Sequence, residues 1–417
     1  MNKAPLASPA AATTAAASPS VFIRLLPITL AVFIVFLTIG LPLPVLPLHV
    51  HGTLAMSTLV VGVVIGSQFA AALLSRAWAG GMADTVGAKR TMLVGSCMAA
   101  CSGLAYLLSD AFSALPAGAV AVLLLGRLLW GCAESLLVTG ALSWGVGLLG
   151  PQHAGKVMAW VGMAMYGAYA LGAPIGVWIY RHYGFTGIAA ACTVIPLLAL
   201  ALVATVRPSV LGSVKRVPFY RVLGTVWLPG VGLALSSVGF GVITAFIALL
   251  FAARNWGNAS MAFTAFGMAF IAARLLFGHL PDKLGGAKVA LVSVLIEAVG
   301  QLLIWRAEGV MLAYLGAALT GFGYSLAFPG FGVEAIRRAP PESRGVAMGA
   351  YVAFLDVALG ITGPLAGMIA SHHDLDTIYL AGGIAVFCST AVALSLLVRP
   401  AVAIPQTGKG GLQKSPL

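Results

Sequence analysis

Residues 76–90 read Arg76-Ala-Trp-Ala-Gly80-Gly-Met-Ala-Asp84-Thr-Val-Gly87-Ala-Lys89-Arg90. Starting 198 positions later (274 against 76), the chain reads Arg274-Leu-Leu-Phe-Gly278-His-Leu-Pro-Asp282-Lys-Leu-Gly285-Gly-Ala-Lys288. Arg, Gly, Asp and Gly recur at one spacing, and a cation follows each time. A second set of echoes runs at an offset of 190 (345 against 155). Gly155-Lys-Val-Met158 answers Gly345-Val-Ala-Met348, and Pro174 answers Pro364. Gly131-Cys-Ala-Glu-Ser135-Leu136 answers Gly321-Phe-Gly-Tyr-Ser325-Leu326. The chain therefore reads as two related halves, a construction common among secondary transporters, whose substrate sites lie between the repeats near the bilayer midplane.

The residues around these stretches name the solvent. Of the 417 residues, 60% are hydrophobic and 8% charged, whereas soluble domains carry about a quarter charged residues. Apolar runs of about 20 residues recur along the chain, the length a helix needs to cross hydrocarbon. Backbone in lipid must satisfy its own hydrogen bonds, which leaves helices or a closed barrel. A barrel requires period-two alternation, but Val120–Leu125 and Leu197–Leu202 are apolar all round. The expected fold class is all-α and polytopic. Its transmembrane helices fall near 26–48, 58–82, 91–109, 117–143, 156–180, 187–206, 224–252, 260–281, 287–306, 310–333, 345–370 and 377–398.

A net charge of +12 raises the question of nucleic acid, but its distribution answers otherwise. With the N-terminus inside, 19 of the 23 Lys and Arg fall at cytoplasmic ends or loops. Arg181, Arg254 and Arg306 fall outside, and Arg127 lies within a span. This positive-inside bias predicts a multi-pass inner-membrane protein with both termini cytoplasmic, with no nucleic-acid partner. The expected organisation is a disordered tail over 1–22, a six-helix bundle over 23–207 and a cytoplasmic linker over 208–221. A second six-helix bundle over 222–399 and a disordered tail over 400–417 complete it. A cleaved signal peptide is not expected, because the first apolar segment is long and lacks a small-residue cleavage site. Cys97, Cys101, Cys132, Cys192 and Cys388 lie within spans without metal or redox spacing and read as packing residues. Gly150-Pro-Gln-His-Ala-Gly155-Lys156 has phosphate-loop spacing, but Val157 stands where Ser or Thr is required. No cofactor, metal or enzymatic constellation is expected.

At the loop stretches the resemblance becomes specific. Gly80-x-x-x-Asp84-x-x-Gly87-x-Lys89-Arg90 resembles the signature between the second and third helices of the major facilitator superfamily. Gly278-x-x-x-Asp282-x-x-Gly285 resembles its degenerate copy between helices 8 and 9. Arg127-x-x-x-Gly131 resembles the superfamily's helix 4 motif. Gly172-Ala-Pro174-Ile-Gly176 is similar to the helix 5 motif of its exporters, with Ala173 where a Gly is usual. Among branches the chain looks most like the drug-efflux and arabinose-efflux-like bacterial permeases. The resemblance implies alternating access between two bundles, with small-molecule substrate, protons and membrane lipids as partners and a monomer as the working unit. It also implies that Asp84 and Asp282 latch one conformation and release in the other. As a reading of residues alone, both are equally consistent with surface turns that set topology.

Charged groups inside spans are costly unless paired or wetted, by about 2.5–3.5 kcal/mol or more. Arg127 and Glu134 lie seven positions apart, within ~20° on one helix face and about 10 Å apart along the axis. Gly131 and Ser135 share that face, and the set reads as a polar stripe lining a cavity or as a fixed ion pair. Asp356 stands among Phe354, Leu355 and Val357, eleven residues in from Gly345. It is a candidate for taking up the coupling proton, with a substrate contact or a structural hydrogen bond as alternatives. Arg127 and Glu134 join it as coupling candidates. Glu297 with Gln301 reads as a structural hydrogen bond between helices, and Arg76 and Arg274 as parts of the gate. Gln68, Trp130, Tyr166, Tyr169, Tyr324 and Tyr351 are candidate cavity-wall residues, and plain helix packing is the alternative for each. His49 and His51, after Pro42, Pro44 and Pro47, fall at the outer rim. The leading expectation is proton-coupled efflux, and the runner-up is a symporter or facilitator importing a sugar or an organic acid.

Overall fold

A computed structural model describes residues 21–150, 153–206, 219–339 and 344–398, and among these the chain is helical without strands. Residues 1–20 of the predicted 1–22 tail, the whole predicted 400–417 tail and residues 208–218 of the predicted linker lie outside the described residues, while residues 21 and 22 are already helical. Residues 219–221, predicted as the end of that linker, are already helical.

The helices in chain order are α1 (Val21–Gly40), α2 (Leu46–Leu48), a π turn (His49–Thr53), α3 (Thr58–Thr85), α4 (Ala88–Ala111) and α5 (Pro116–Leu149). Then come α6 (Ala154–Thr205), α7 (Phe219–Ala253), α8 (Ser260–Phe277) and the short α9 (Leu280–Leu284). The chain continues through α10 (Gly286–Trp305), α11 (Val310–Arg338), α12 (Arg344–His372) and α13 (Thr377–Val398). Among the described residues ten helices are long and apolar enough to cross a membrane, and a shorter apolar stretch, Arg24–Gly40, precedes them. One of the ten, α6, runs 52 residues and holds two spans: Gly184, at φ 63°, breaks the helix between them. Eleven crossings in ten helices plus α1 make the twelve expected.

The repeat in sequence is a repeat in backbone. Gly87 joins α3 to α4 at φ 99°, ψ 150°, and Gly285 joins α9 to α10 at φ 98°, ψ 140°. A side chain is rarely tolerated at such φ, so the spacing preserves glycine at both turns. Lys89, just past the first turn, donates from Nζ to Ala204 O (2.7 Å) and Val206 O (2.8 Å). It thereby satisfies carbonyls at the end of α6, where a helix terminus favours a cation.

α1 and α3–α6 pack among themselves, as do α7, α8 and α10–α13. The halves meet along two seams, α3 on α12 and α6 on α8. Both are made of small residues, which let helix backbones approach closely where lipid offers no hydrophobic drive. A Cβ added at Gly62 would sit 2.0 Å from Gly363 O, and one at Gly367 would sit 2.4 Å from Thr58 O. On the second seam, Thr264 Oγ1 donates to Ala170 O (2.8 Å), and a Cβ at Gly267 would meet Tyr166 O at 2.8 Å. Towards the end that carries Gly87 and Gly285 the seams part. A Cβ at Gly80 or Gly349 on the first, or at Gly162 on the second, meets nothing within 4 Å. The halves are thus sealed together at the His49 end and apart at the Gly87 end.

Candidate functional site

The site lies where the seams open. Arg76 of α3 and Asp356 of α12 face each other there: Arg76 Nε donates to Asp356 Oδ2 at 2.8 Å, and Nη2 pairs with the same oxygen. Asp356 is 4% exposed. Among the described residues this is the one ion pair that joins the two halves, the others lying at Arg254–Asp376 and around Glu334. Asp356, read as a coupling candidate with a structural hydrogen bond among its alternatives, and Arg76, read as part of the gate, are each other's partner. They stand 280 residues apart in different halves, and no local pattern announces such a pair.

The Arg127–Glu134 stripe is also resolved into other contacts. Gln68 Nε2 donates to Glu134 Oε2 at 2.8 Å, joining two predicted site residues on α3 and α5. Arg127, 3% exposed, donates to Val64 O (3.3 Å), Ile65 O (3.4 Å) and the Tyr106 hydroxyl (3.3 Å). Arg127 therefore ties α5 to α3 and α4, and the two are not an ion pair. The α3–α5 contact is close because Gly131 leaves room: a Cβ there would lie 2.0 Å from Gln68 O. Glu134 remains within electrostatic reach of Asp356, Arg76 and Arg127, so these groups form one charged cluster beside the gap.

Beside the cluster, with Tyr169 within electrostatic reach of Glu134 and Arg127, lies a stack of rings from both halves. Tyr166 stacks on Phe270 with centroids 3.9 Å apart and meets Phe240 and Tyr324 edge-on at 5.5 and 6.0 Å. Tyr169 stacks on Phe240 at 6.1 Å. Three of the predicted wall residues, Tyr166, Tyr169 and Tyr324, come together here. Phe240, Phe266 and Phe270 were missed, since a phenylalanine in an apolar span carries no polar mark. Trp130 sits outside the stack, edge-on to Phe36 at 6.2 Å. Tyr351 donates its hydroxyl to Phe328 O at 2.6 Å, which commits it to packing of α12 on α11.

The loop residues Asp84, Arg90 and Asp282 are exposed, and among the described residues neither aspartate has an ion pair. Glu297 behaves as read: Oε2 accepts from Ser236 Oγ at 3.0 Å, and Gln301 Nε2 donates to Gly239 O (3.2 Å) and Thr320 Oγ1 (3.1 Å). Both lie between helices of the second half, away from the gap. His49 is buried, stacked on Phe185 at 3.8 Å, and His51 Nδ1 lies 2.7 Å from Met56 O. Cys192 is buried, while Cys97, Cys101 and Cys388 are exposed on outer helix faces.

This arrangement of two six-helix halves and a central charged gap has relatives. The model of the Major Facilitator Superfamily matches residues 28–253 and again 229–417. An uncharacterised MFS-type transporter of Salmonella typhimurium is 43% identical over 378 residues, covering 91% of this chain and 97% of its own. One from Burkholderia mallei is 45% identical over 371 residues, covering 88% and 91%. Among solved structures, the inward open xylose transporter XylE from E. coli superposes with a TM-score of 0.71 at 15% identity, over 94% of this chain and 98% of that one. The human organic anion transporter MFSD10 superposes at 0.68 and 14% identity, over 90% and 100%. The chain belongs to the Major Facilitator Superfamily: it is a multi-pass membrane transporter of a small substrate, not an enzyme.

Proposed function

We propose that the protein is a proton-coupled secondary carrier that exports a small organic molecule by alternating access. It would sit in the inner membrane with both termini cytoplasmic and work as a monomer. The observation that carries the reading is the Arg76–Asp356 pair, which bridges the halves at the point where both seams open. With the basic Gly87 end inside, as its Lys and Arg content favours, the gap faces the cytoplasm. The ionised pair then represents the carrier after proton release and before substrate loading.

The cycle follows from that pair. Substrate enters from the cytoplasm between α3, α6, α8 and α12, and the halves rock so that the Gly62–Gly363 seam parts and the Gly80 end closes. Asp84 and Asp282, exposed here, find their partners in that second state. A proton arriving from outside neutralises Asp356, Arg76 loses its partner, and the substrate leaves. Return to the conformation described delivers the proton inside as the pair reforms. One proton moving inward across 100 mV supplies about 2.3 kcal/mol. Glu134, held by Gln68 and in reach of Asp356, tunes that exchange.

The test uses proteoliposomes with an internal pH dye and an imposed proton gradient, to which amphiphilic drugs, sugars and organic acids are added singly. Export by antiport requires substrate-induced proton movement opposite to the substrate, abolished in Asp356→Asn. Substrate flux with unchanged proton movement in Asp356→Asn refutes the coupling role. A second reading, import by symport, draws on the fold shared with the D-xylose-proton symporter and the nucleoside transporter NupG. It requires proton movement in the same direction as the substrate.

A further inference from the structure

The two seams are built on matching positions, yet they carry different chemistry. Arg274 on α8 matches Arg76 on α3 at the 198-residue offset, and Tyr166 on α6 matches Asp356 on α12 at the 190-residue offset. Where the first seam sets a carboxylate against its arginine, the second sets a phenol. Among the described residues Arg274 has no ion pair and no hydrogen bond, and its Nε is buried without a partner. Its guanidinium carbon lies 5.4 Å from the centre of the Phe270 ring, and Tyr166, Tyr324 and Tyr351 are within electrostatic reach.

A guanidinium offers five donors and no acceptor, and leaving such a charge buried and unmatched is expensive. The interior acids are committed elsewhere: Asp356 to Arg76, Glu134 to Gln68, Glu297 to Ser236, and Glu334 to Arg337 and Arg338. Among the described residues no interior carboxylate is left for Arg274. Its place is about two turns beyond the Gly267–Ala170 contact that closes the second seam, at the head of the open gap. The rings of Tyr166 and Phe270 stand beside it.

We propose that Arg274 is the anchor of a binding site for a small aromatic carboxylate, whose anion replaces the acid that the second seam lacks and whose ring packs against Tyr166 and Phe270. The proposal rests on the carrier reading and names the substrate class of the same central gap. A carboxylate meets the guanidinium fork through two parallel hydrogen bonds, and a flat apolar body fits a wall of stacked rings. The two arginines then divide the work: Arg76 serves the internal acid and Arg274 the external one.

The experiment is equilibrium binding to the purified full-length protein in detergent, which needs no proton gradient. The probes are 2-naphthoate, its neutral counterpart 2-naphthamide and the cation 2-naphthylmethylamine, all followed by their own fluorescence. Saturable binding of 2-naphthoate, at least tenfold tighter than the other two, is expected. Arg274→Gln is expected to weaken it at least tenfold and Arg274→Lys to restore part of the loss. Should Arg274→Gln not fold, Tyr166→Asp keeps the arginine and supplies the missing acid as on the first seam, and it too is expected to abolish 2-naphthoate binding. Equal binding of all three probes, preference for the cation, no binding of 2-naphthoate, or unaltered binding in both variants overturns the anion site. Those results leave proton coupling standing if the liposome assay detects it. Conversely, Arg274-dependent binding without any proton movement keeps the site and removes the coupling.

Discussion

Replacing Gly62 by alanine probes the seal between the halves. The added Cβ would lie 2.0 Å from Gly363 O and 2.5 Å from its carbonyl carbon, against 3.4 Å for ordinary contact. Backbone cannot fold away as a side chain can, so α3 and α12 must part by about 1.4 Å (3.4 less 2.0) at that point. Forcing extra volume into a packed interface costs about 1–3 kcal/mol. A conformation in which the same helices have separated at the His49 end escapes that cost. Each 1.4 kcal/mol is tenfold in a population ratio, so the shift between states should be roughly 5- to 150-fold. Spin labels at exposed Gly52 and His373 report the sealed end, and labels at Thr85 and Arg337 the open one. Pulsed dipolar distances are expected to lengthen at the first pair and shorten at the second in Gly62→Ala. Gly349→Ala, whose Cβ meets nothing within 4 Å, is expected not to shift the distances in that direction. If Gly62→Ala leaves both distributions as in the parent protein, or if Gly349→Ala reproduces its effect, the two-state seam is wrong.

Arg127→Leu removes three long hydrogen bonds to acceptors of which two already serve helix α3, so a stability loss of about 2 kcal/mol is expected. Tryptophan fluorescence on heating in detergent reads it, and substrate-induced proton movement should survive. Lost coupling with an unchanged melting temperature would return Arg127 to the mechanism. Glu297→Gln keeps an acceptor for Ser236 and should change stability by less than about 1 kcal/mol while leaving transport intact. A transport-dead, well-folded Glu297→Gln would show that this buried cluster takes part in the cycle. Arg254→Ala breaks the pair with Asp376 at the rim, but the arginine is 47% exposed. Exposed pairs contribute about 0–1 kcal/mol, so the melting temperature should barely move, and a larger drop would mark that pair as a structural lock.

Much of this protein is written locally. Apolar length dictates crossing helices because lipid leaves the backbone no other partner. The spacing of Arg76, Gly80, Asp84 and Gly87 against its copy exposed the two halves, and it keeps glycine at 87 and 285, where the turns take a positive φ that only glycine adopts freely. The Glu297 and Gln301 cluster was legible too, since a carboxyl and an amide one turn apart in an apolar helix must bond across to neighbours. Pairing across the halves was not. Arg76 and Asp356 are joined, Arg127 and Glu134 are not, and Arg274 has no acid, because each outcome depends on how two bundles dock and which helix faces meet. Sequence spacing shows which side chains share a helix face. Which face opposes it, and at what height the seam opens, is decided by close packing of glycines such as Gly62 and Gly363 from opposite halves, and only the tertiary structure brings those together.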